Sequence, residues 1–150
     1  MNADYRGVKQ DQPALTAVRE KEHDRCFVCD PDNSAGLGLR FQMCADGSVI
    51  ASFGCPEVFH GYPRWLHGGV TSSLLDGAMT NCLFARGVVA VTAELSIRFL
   101  HPVVIDHQSY VKAWVEKSYP PLHLLRAELF QDGKVLVTAS GKFMEHCEEE

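Results

Sequence analysis

Between Arg64 and Arg86 the chain carries one formal charge, Asp76, in an otherwise apolar and small-residue run. No proline interrupts it from Gly69 to about Arg86, a length sufficient for about five helical turns. Val70, Leu74, Leu75, Met79, Cys82, Leu83 and Phe84 would wrap most of the circumference of such a helix. A helix apolar nearly all round is buried rather than laid on a surface. Gly87 marks its expected stop. The rest of the chain must therefore be built around this helix.

The flanking segments read as strands. LRFQM and SVIASFG enclose ADG, and LHLLRAELF and KVLVTASGKFM enclose QDG, so each pair is expected to form a hairpin on an Asp-Gly turn. After the helix, Ala93, Leu95, Ile97 and Phe99 alternate with Glu94, Ser96 and Arg98, the pattern of a strand with one buried face. SYVKAWVEKS is a less regular strand. The order is two strands, one helix, then four strands, which predicts an α+β layer with an antiparallel sheet of five to six strands wrapped around one long buried central helix. One sheet hides one side of a helix. A second copy of the chain is the simple cover for the remainder, so a dimer is expected.

At 150 residues the chain fits one domain, expected over 26–145, with a polar arm or short helix at 1–25 and an acidic tail at 146–150. A net charge of -5 argues against a general nucleic-acid binder. No stretch approaches the ~20 apolar residues of a membrane span, and MNADYRGVKQDQ lacks the apolar core of a signal peptide. The expected location is cytoplasmic, with no nucleic acid or membrane as partner. The six cysteines are irregularly spaced and expected to be reduced thiols. Cys26 and Cys29 form a CxxC, but a zinc site needs two further ligands, and spacing does not select His23 or His60 for the role. The expectation is an inert pair and no metal.

Two features of the central run carry chemistry. Gly68 and Gly69 leave the N–H groups at the helix N-terminus uncovered, the geometry of an oxyanion hole, although a Gly-Gly pair also simply permits a tight turn into a helix. Asp76, if buried, is costly unless paired or protonated; desolvation would raise its pKa and suit it to general-base work. The structural alternative is an Asp bonded to Thr or Ser hydroxyls. His67 and Asp76 are nine residues apart, about 13 Å and half a rotation on a helix, so one chain cannot hold a reacting atom with both. Two antiparallel helices could bring one chain's Gly68 to the other chain's Asp76.

CFVCDPDNSAGLGLRF, HGYPRWLHGG, HGGVTSSLLDGAM and VTAELSIRFLHPV together resemble the hotdog-fold acyl-CoA thioesterases of the phenylacetate-pathway (PaaI-like) group. The resemblance spans about residues 26–104. It implies a hotdog fold and an acyl-CoA thioester hydrolase with two composite sites per homodimer, or a homotetramer of the same units. It implies Asp76 as general base, or as nucleophile; the Gly68 N–H, with Gly69, holding the carbonyl oxygen; His67 positioning that oxygen or the surroundings of the sulfur; and Thr92 orienting the water or the carboxylate. It implies no metal or redox cofactor, CoA arriving with the substrate. His60, Gly61 and Ser73 are candidates for the substrate pocket, and Arg64, Arg98 and Lys112 for the CoA phosphates. The chain departs from the pattern at Arg64-Trp65, where many members have glycine, at Gly61, where some have Asn, and at SYPPLH, where Gly-Arg is frequent. Two rival readings are a hotdog acyl-thioester hydratase or dehydratase using His60 with Asp76, and a non-catalytic acyl-CoA-binding module.

Overall fold

The computed structural model describes residues 12–146. The first eleven residues of the expected arm, and Cys147 with the rest of the acidic tail, lie outside the described residues. Two helices, α1 (Pro13–Glu22) and α2 (Gly68–Phe84), accompany six strands: β1 (Gln42–Met43), β2 (Val49–Phe53), β3 (Ala90–Phe99), β4 (Ser109–Tyr119), β5 (Leu122–Gln131) and β6 (Lys134–Glu145). The strands form one antiparallel sheet in the order β1-β2-β4-β5-β6-β3. This is the expected α+β architecture, two strands, a central helix, then four strands. Among the described residues, no helix is long and apolar enough to cross a membrane.

Local chemistry sets these boundaries. α2 ends where Gly87, at φ 72°, donates to the Phe84 carbonyl and Val88 to the Leu83 carbonyl, the paired bonds of a Schellman cap. The β5–β6 hairpin turns on Asp132 and Gly133, both at positive φ as a two-residue turn requires. Across the sheet, Ala113 pairs with Ala127 and Ala127 with Ala139, placing small buried side chains in one row. Val111, Leu125, Leu129, Val137 and Phe143 flank that row, all buried against α2.

Except along one stripe, α2 is buried within one chain, so its circumference by itself does not demand a second copy. Leu15 of α1 and Val28, Cys29, Leu37 and Leu39 of the following loop are buried in the same core as Leu74, Leu75, Met79, Leu83 and Phe84. Each such large side chain contributes roughly 1.5–3 kcal/mol on leaving water. The loop comes so close that a Cβ on Gly77 would lie 2.5 Å from Val28 Cγ1.

What remains open on α2 is a stripe. Gly68, Gly69, Val70, Ser72, Ser73 and Asp76 are exposed or half-buried, while Leu74, Leu75 and every residue from Gly77 to Phe84 are buried. The case for a partner rests instead on β3, an edge strand with no neighbour beyond it among the described residues. Val91, Leu95, Phe99 and Leu100 there are 53%, 36%, 53% and 47% exposed. A long, apolar, unpaired edge is an invitation to strand pairing.

Gly77→Ala is expected to lower stability by about 1–3 kcal/mol through overpacking against Val28. In a Val28→Ala background the same change should be neutral or stabilising, because alanine is the better helix former. Denaturant unfolding of the four proteins checks the sign reversal.

Candidate active site

His67 is the N-cap of α2, and its Nδ1 accepts the Gly69 N–H at 2.8 Å. Nδ1 is therefore the unprotonated nitrogen, leaving Nε2 to carry the proton of a neutral ring. This contact occupies Gly69 and leaves the Gly68 and Val70 N–H groups as the donors without a partner at the helix tip among the described residues, Gly68 being the first of them. The Phe99 ring stands 3.6 Å from where a Gly68 Cβ would be, an apolar wall beside that donor. Gly61 passes against His67, a Cβ there falling 3.3 Å from the His67 Cα.

Two turns further along, Asp76 faces the edge strand. Thr92 Oγ1 donates to Asp76 Oδ1 at 2.7 Å. Burial pushes the Asp76 carboxyl above the ordinary carboxylate range; the Thr92 bond and the His23 charge offset part of that, and the Cys26 sulfur adds to it. Thr92 reaches the carboxylate because of a β-bulge between Thr92 and Glu94. Thr92 pairs with Phe143 and Leu95 with Gly141, so Thr92 shares the helix-facing side with Leu95, Ile97 and Phe99. Strict alternation assigns that side to Ala93. The extra residue re-aims the hydroxyl.

The other expected site residues divide into near and far. Ser73 Oγ donates to the Gly69 carbonyl at 3.0 Å and Ser72 Oγ to the Gly68 carbonyl at 2.8 Å, so both hydroxyls are engaged by the helix on the open stripe. His60 is exposed with its Nδ1 2.6 Å from the Glu57 carbonyl, and it does not meet Asp76. Arg64 lies exposed in the turn between Tyr62 and Trp65, its carbonyl accepting from Ile105 N–H. Arg98 pairs with Thr138 on the outer face of the sheet, opposite to Thr92, and lines a cleft with Ser96, Trp114 and Arg126. Lys112 is on that outer face as well, 3.7 Å from the Asp46 carboxylate.

One chain thus keeps the Gly68 donor and the Asp76–Thr92 pair apart. Gly68 and Asp76 are eight residues apart, about 12 Å along the helix axis. Clefts of about 460 Å³ at Arg86, Lys112 and Trp114, and of about 480 Å³ between α1 and the Cys29–Gln42 segment, are lined by neither of them. Gly68 and Asp76 both abut β3, through Phe99 and Thr92, and both lie on the stripe of α2 that the chain leaves open.

The family model of the thioesterase superfamily matches residues 65–138, a segment containing His67, Gly68, Asp76 and Thr92. Human acyl-coenzyme A thioesterase 13 is 26% identical over 104 residues, covering 68% of this chain and 74% of that protein. A solved thioesterase superfamily protein superposes with a TM-score of 0.76 at 25% identity. That match takes in 82% of this chain and only 60% of the other, so this chain spans about three-fifths of that protein's length. The Escherichia coli PaaI protein, from the phenylacetic acid degradation operon, superposes with a TM-score of 0.75 at 19% identity, covering 91% of this chain and 96% of that one.

The raised pKa of Asp76 has a consequence for stability. The folded chain holds this proton more tightly than the unfolded chain, so ionisation opposes the fold as pH rises through the folded pKa. Asp76→Asn keeps an acceptor for Thr92 and removes the charge. Its Tm is expected to exceed that of the parent by a few degrees at neutral pH. The gain should vanish below about pH 4, where Asp76 is protonated in both states. A lower Tm for Asp76→Asn at neutral pH would contradict this.

Proposed function

We propose that the chain, whose residues 65–138 match the thioesterase superfamily model, is a PaaI-like hotdog thioesterase that hydrolyses acyl-CoA at sites shared between two copies, Asp76 of one acting with Gly68 of the other. The observation that carries this is the Asp76–Thr92 pair, a desolvated carboxylate on the open stripe of α2 with one oxygen engaged by a hydroxyl at 2.7 Å. A carboxylate in that setting can accept a proton near neutrality. The acyl-CoA substrate is supported by the superfamily match and by the acyl-coenzyme A named for the human relative.

The dimer is built by pairing two β3 strands edge to edge, which satisfies their unpaired backbone groups and covers Leu95 and Phe99. A two-fold axis through that seam sets the α2 helices side by side and antiparallel. The Gly68 end of one then approaches the Asp76 region of its partner, because both abut β3 in their own chains. The thioester carbonyl enters between them. The Gly68 N–H, at the positive end of the helix dipole, donates to the carbonyl oxygen as it gains charge.

Asp76 then takes a proton from water while the water oxygen attacks the acyl carbon. The tetrahedral oxyanion collapses with cleavage of the C–S bond, and the proton on Asp76 passes to the departing CoA sulfur. The products are the free acid and CoA thiol, with Asp76 returned to its carboxylate. Thr92 holds the carboxylate in place through the cycle. The hydratase reading requires His60 beside Asp76 and finds no support, since the His60 ring is held against Glu57.

Thiol release from short-chain, long-chain and aromatic acyl-CoAs, followed with a disulfide reagent, tests the assignment. Asp76→Asn is expected to lower kcat by about 10²–10⁴-fold with the protein folded. For the parent, kcat/KM should rise with pH through an apparent pKa above the ordinary Asp value of about 3.9, and Asp76→Asn should abolish that limb. Unchanged turnover in Asp76→Asn would remove Asp76 from the chemistry.

A further inference from the structure

Where α1 ends, three side chains that the hydrolytic scheme does not use converge. His23 is the C-cap of α1, and Cys26 and Cys29 follow on the turn that leads into the loop over α2. His23 Nδ1, Cys26 Sγ and Cys29 Sγ all lie within 4.8 Å of one another, and His23 Nδ1 is 3.5 Å from Cys29 Sγ. His60, the other imidazole weighed from sequence, is not in the cluster. In a tetrahedral zinc site with Zn–S near 2.3 Å and Zn–N near 2.0–2.1 Å, ligand atoms stand about 3.5–3.8 Å apart. The three atoms therefore need to close by at most about 1.3 Å to share one ion.

The surroundings hold these donors in place. The His23 ring meets Phe84 edge to face, with centroids 4.8 Å apart at 87°. Cys26 Sγ accepts the Val28 N–H at 3.4 Å, a bond that suits a metal-bound thiolate. Arg19 Nη1 donates to the Cys29 carbonyl at 3.4 Å, tying α1 to the same turn.

A second observation comes from α2. Asn81 is fully buried beside Cys29; its Nδ2 donates to the Gly77 carbonyl at 2.8 Å, while its Oδ1 has no hydrogen-bond partner. An unpartnered buried acceptor is unusual, and an unseen water or ion is one of its ordinary explanations.

We propose that His23, Cys26 and Cys29 bind one Zn²⁺ or a similarly soft divalent ion, with the fourth position taken by a water that donates to Asn81 Oδ1. Imidazole and thiolates together select such metals over Mg²⁺ or Ca²⁺. The ion joins the end of α1 to the loop that covers α2 just beyond Asp76, so its role is to fasten the N-terminal segment to the core. Binding requires both sulfurs as thiolates, so a proton still held between Cys26 and Cys29 is released to solvent. The site stands independently of the proposed hydrolysis.

The test is metal uptake by the full-length, fully reduced protein. Titration with Zn²⁺ and with Co²⁺ should give one ion per chain. The Co²⁺ form should show the visible bands of tetrahedral cobalt and a thiolate charge-transfer band in the near ultraviolet. Tm should rise by several degrees with Zn²⁺ and fall back on chelation. His23→Ala and Cys26→Ser should lose the charge-transfer signal or weaken uptake at least tenfold, whereas Cys44→Ser, outside the cluster, should bind as the parent does. Should a cluster variant fail to fold, the parent titration alone decides. Failure of the reduced parent to take up either ion would overturn the proposal. So would uptake unaltered in folded His23→Ala and Cys26→Ser, or mass spectrometry finding Cys26 and Cys29 joined as a disulfide in the isolated protein.

Discussion

The structure turns on the hydrogen bond between Thr92 and Asp76. α2 is apolar around almost its whole surface and must be buried, yet it carries a carboxylate in its middle. The fold reconciles these demands by wrapping the sheet and the N-terminal segment around α2 except along one stripe. Asp76 lies at the end of that stripe, sheltered enough for its pKa to rise and open enough to meet a ligand. Thr92, swung inward by the bulge in β3, gives the carboxylate a donor that a plain strand would have pointed outward. The expectation of an Asp bonded to a hydroxyl is met, and the same arrangement is compatible with the proposed role of Asp76 as general base.

Much of this was legible in the sequence because it depends on local chemistry. The apolar run marked α2, whose end at Gly87 and whose hairpin turns at Asp-Gly pairs follow from backbone preferences. Alternation in β3 put Leu95, Ile97 and Phe99 on one side and Arg98 on the other, as found. The bulge was not legible: one unpaired residue at Ala93 exchanges the sides of everything before it, and only the register with β6 reveals that. Nor was the cover over α2. CDPDNSAGLG reads as an irregular loop, and nothing in its composition says that Val28, Leu37 and Leu39 return to the core. His23 joins Cys26 and Cys29 because α1 ends there, which spacing alone did not single out.

The N-terminal segment also changes where the argument for a dimer lies. If α2 were bare on its far side, a partner would be required for stability, and the active site would be a by-product. The chain covers that side itself. What it leaves uncovered is the β3 edge and the adjoining stripe of α2, the two places where Gly68, Phe99, Thr92 and Asp76 are found. The surface the chain leaves open and the surface the proposed chemistry would use coincide. Gly68 and Asp76 are too far apart on one helix to serve one carbonyl group, and in the proposed dimer a two-fold partner would remove that distance.

A mixture of two inactive variants measures this most directly. Asp76→Ala and Gly68→Val chains, each folded and each inactive alone, are combined and allowed to exchange subunits. A mixed dimer carries both lesions in one site and neither in the other. Random exchange places about half of the dimers in mixed form, each with one intact site of two, so about a quarter of the parent's thiol release should return. If exchange is shown to be complete and no activity returns, Gly68 and Asp76 act within one chain or not at all, and the shared site is contradicted.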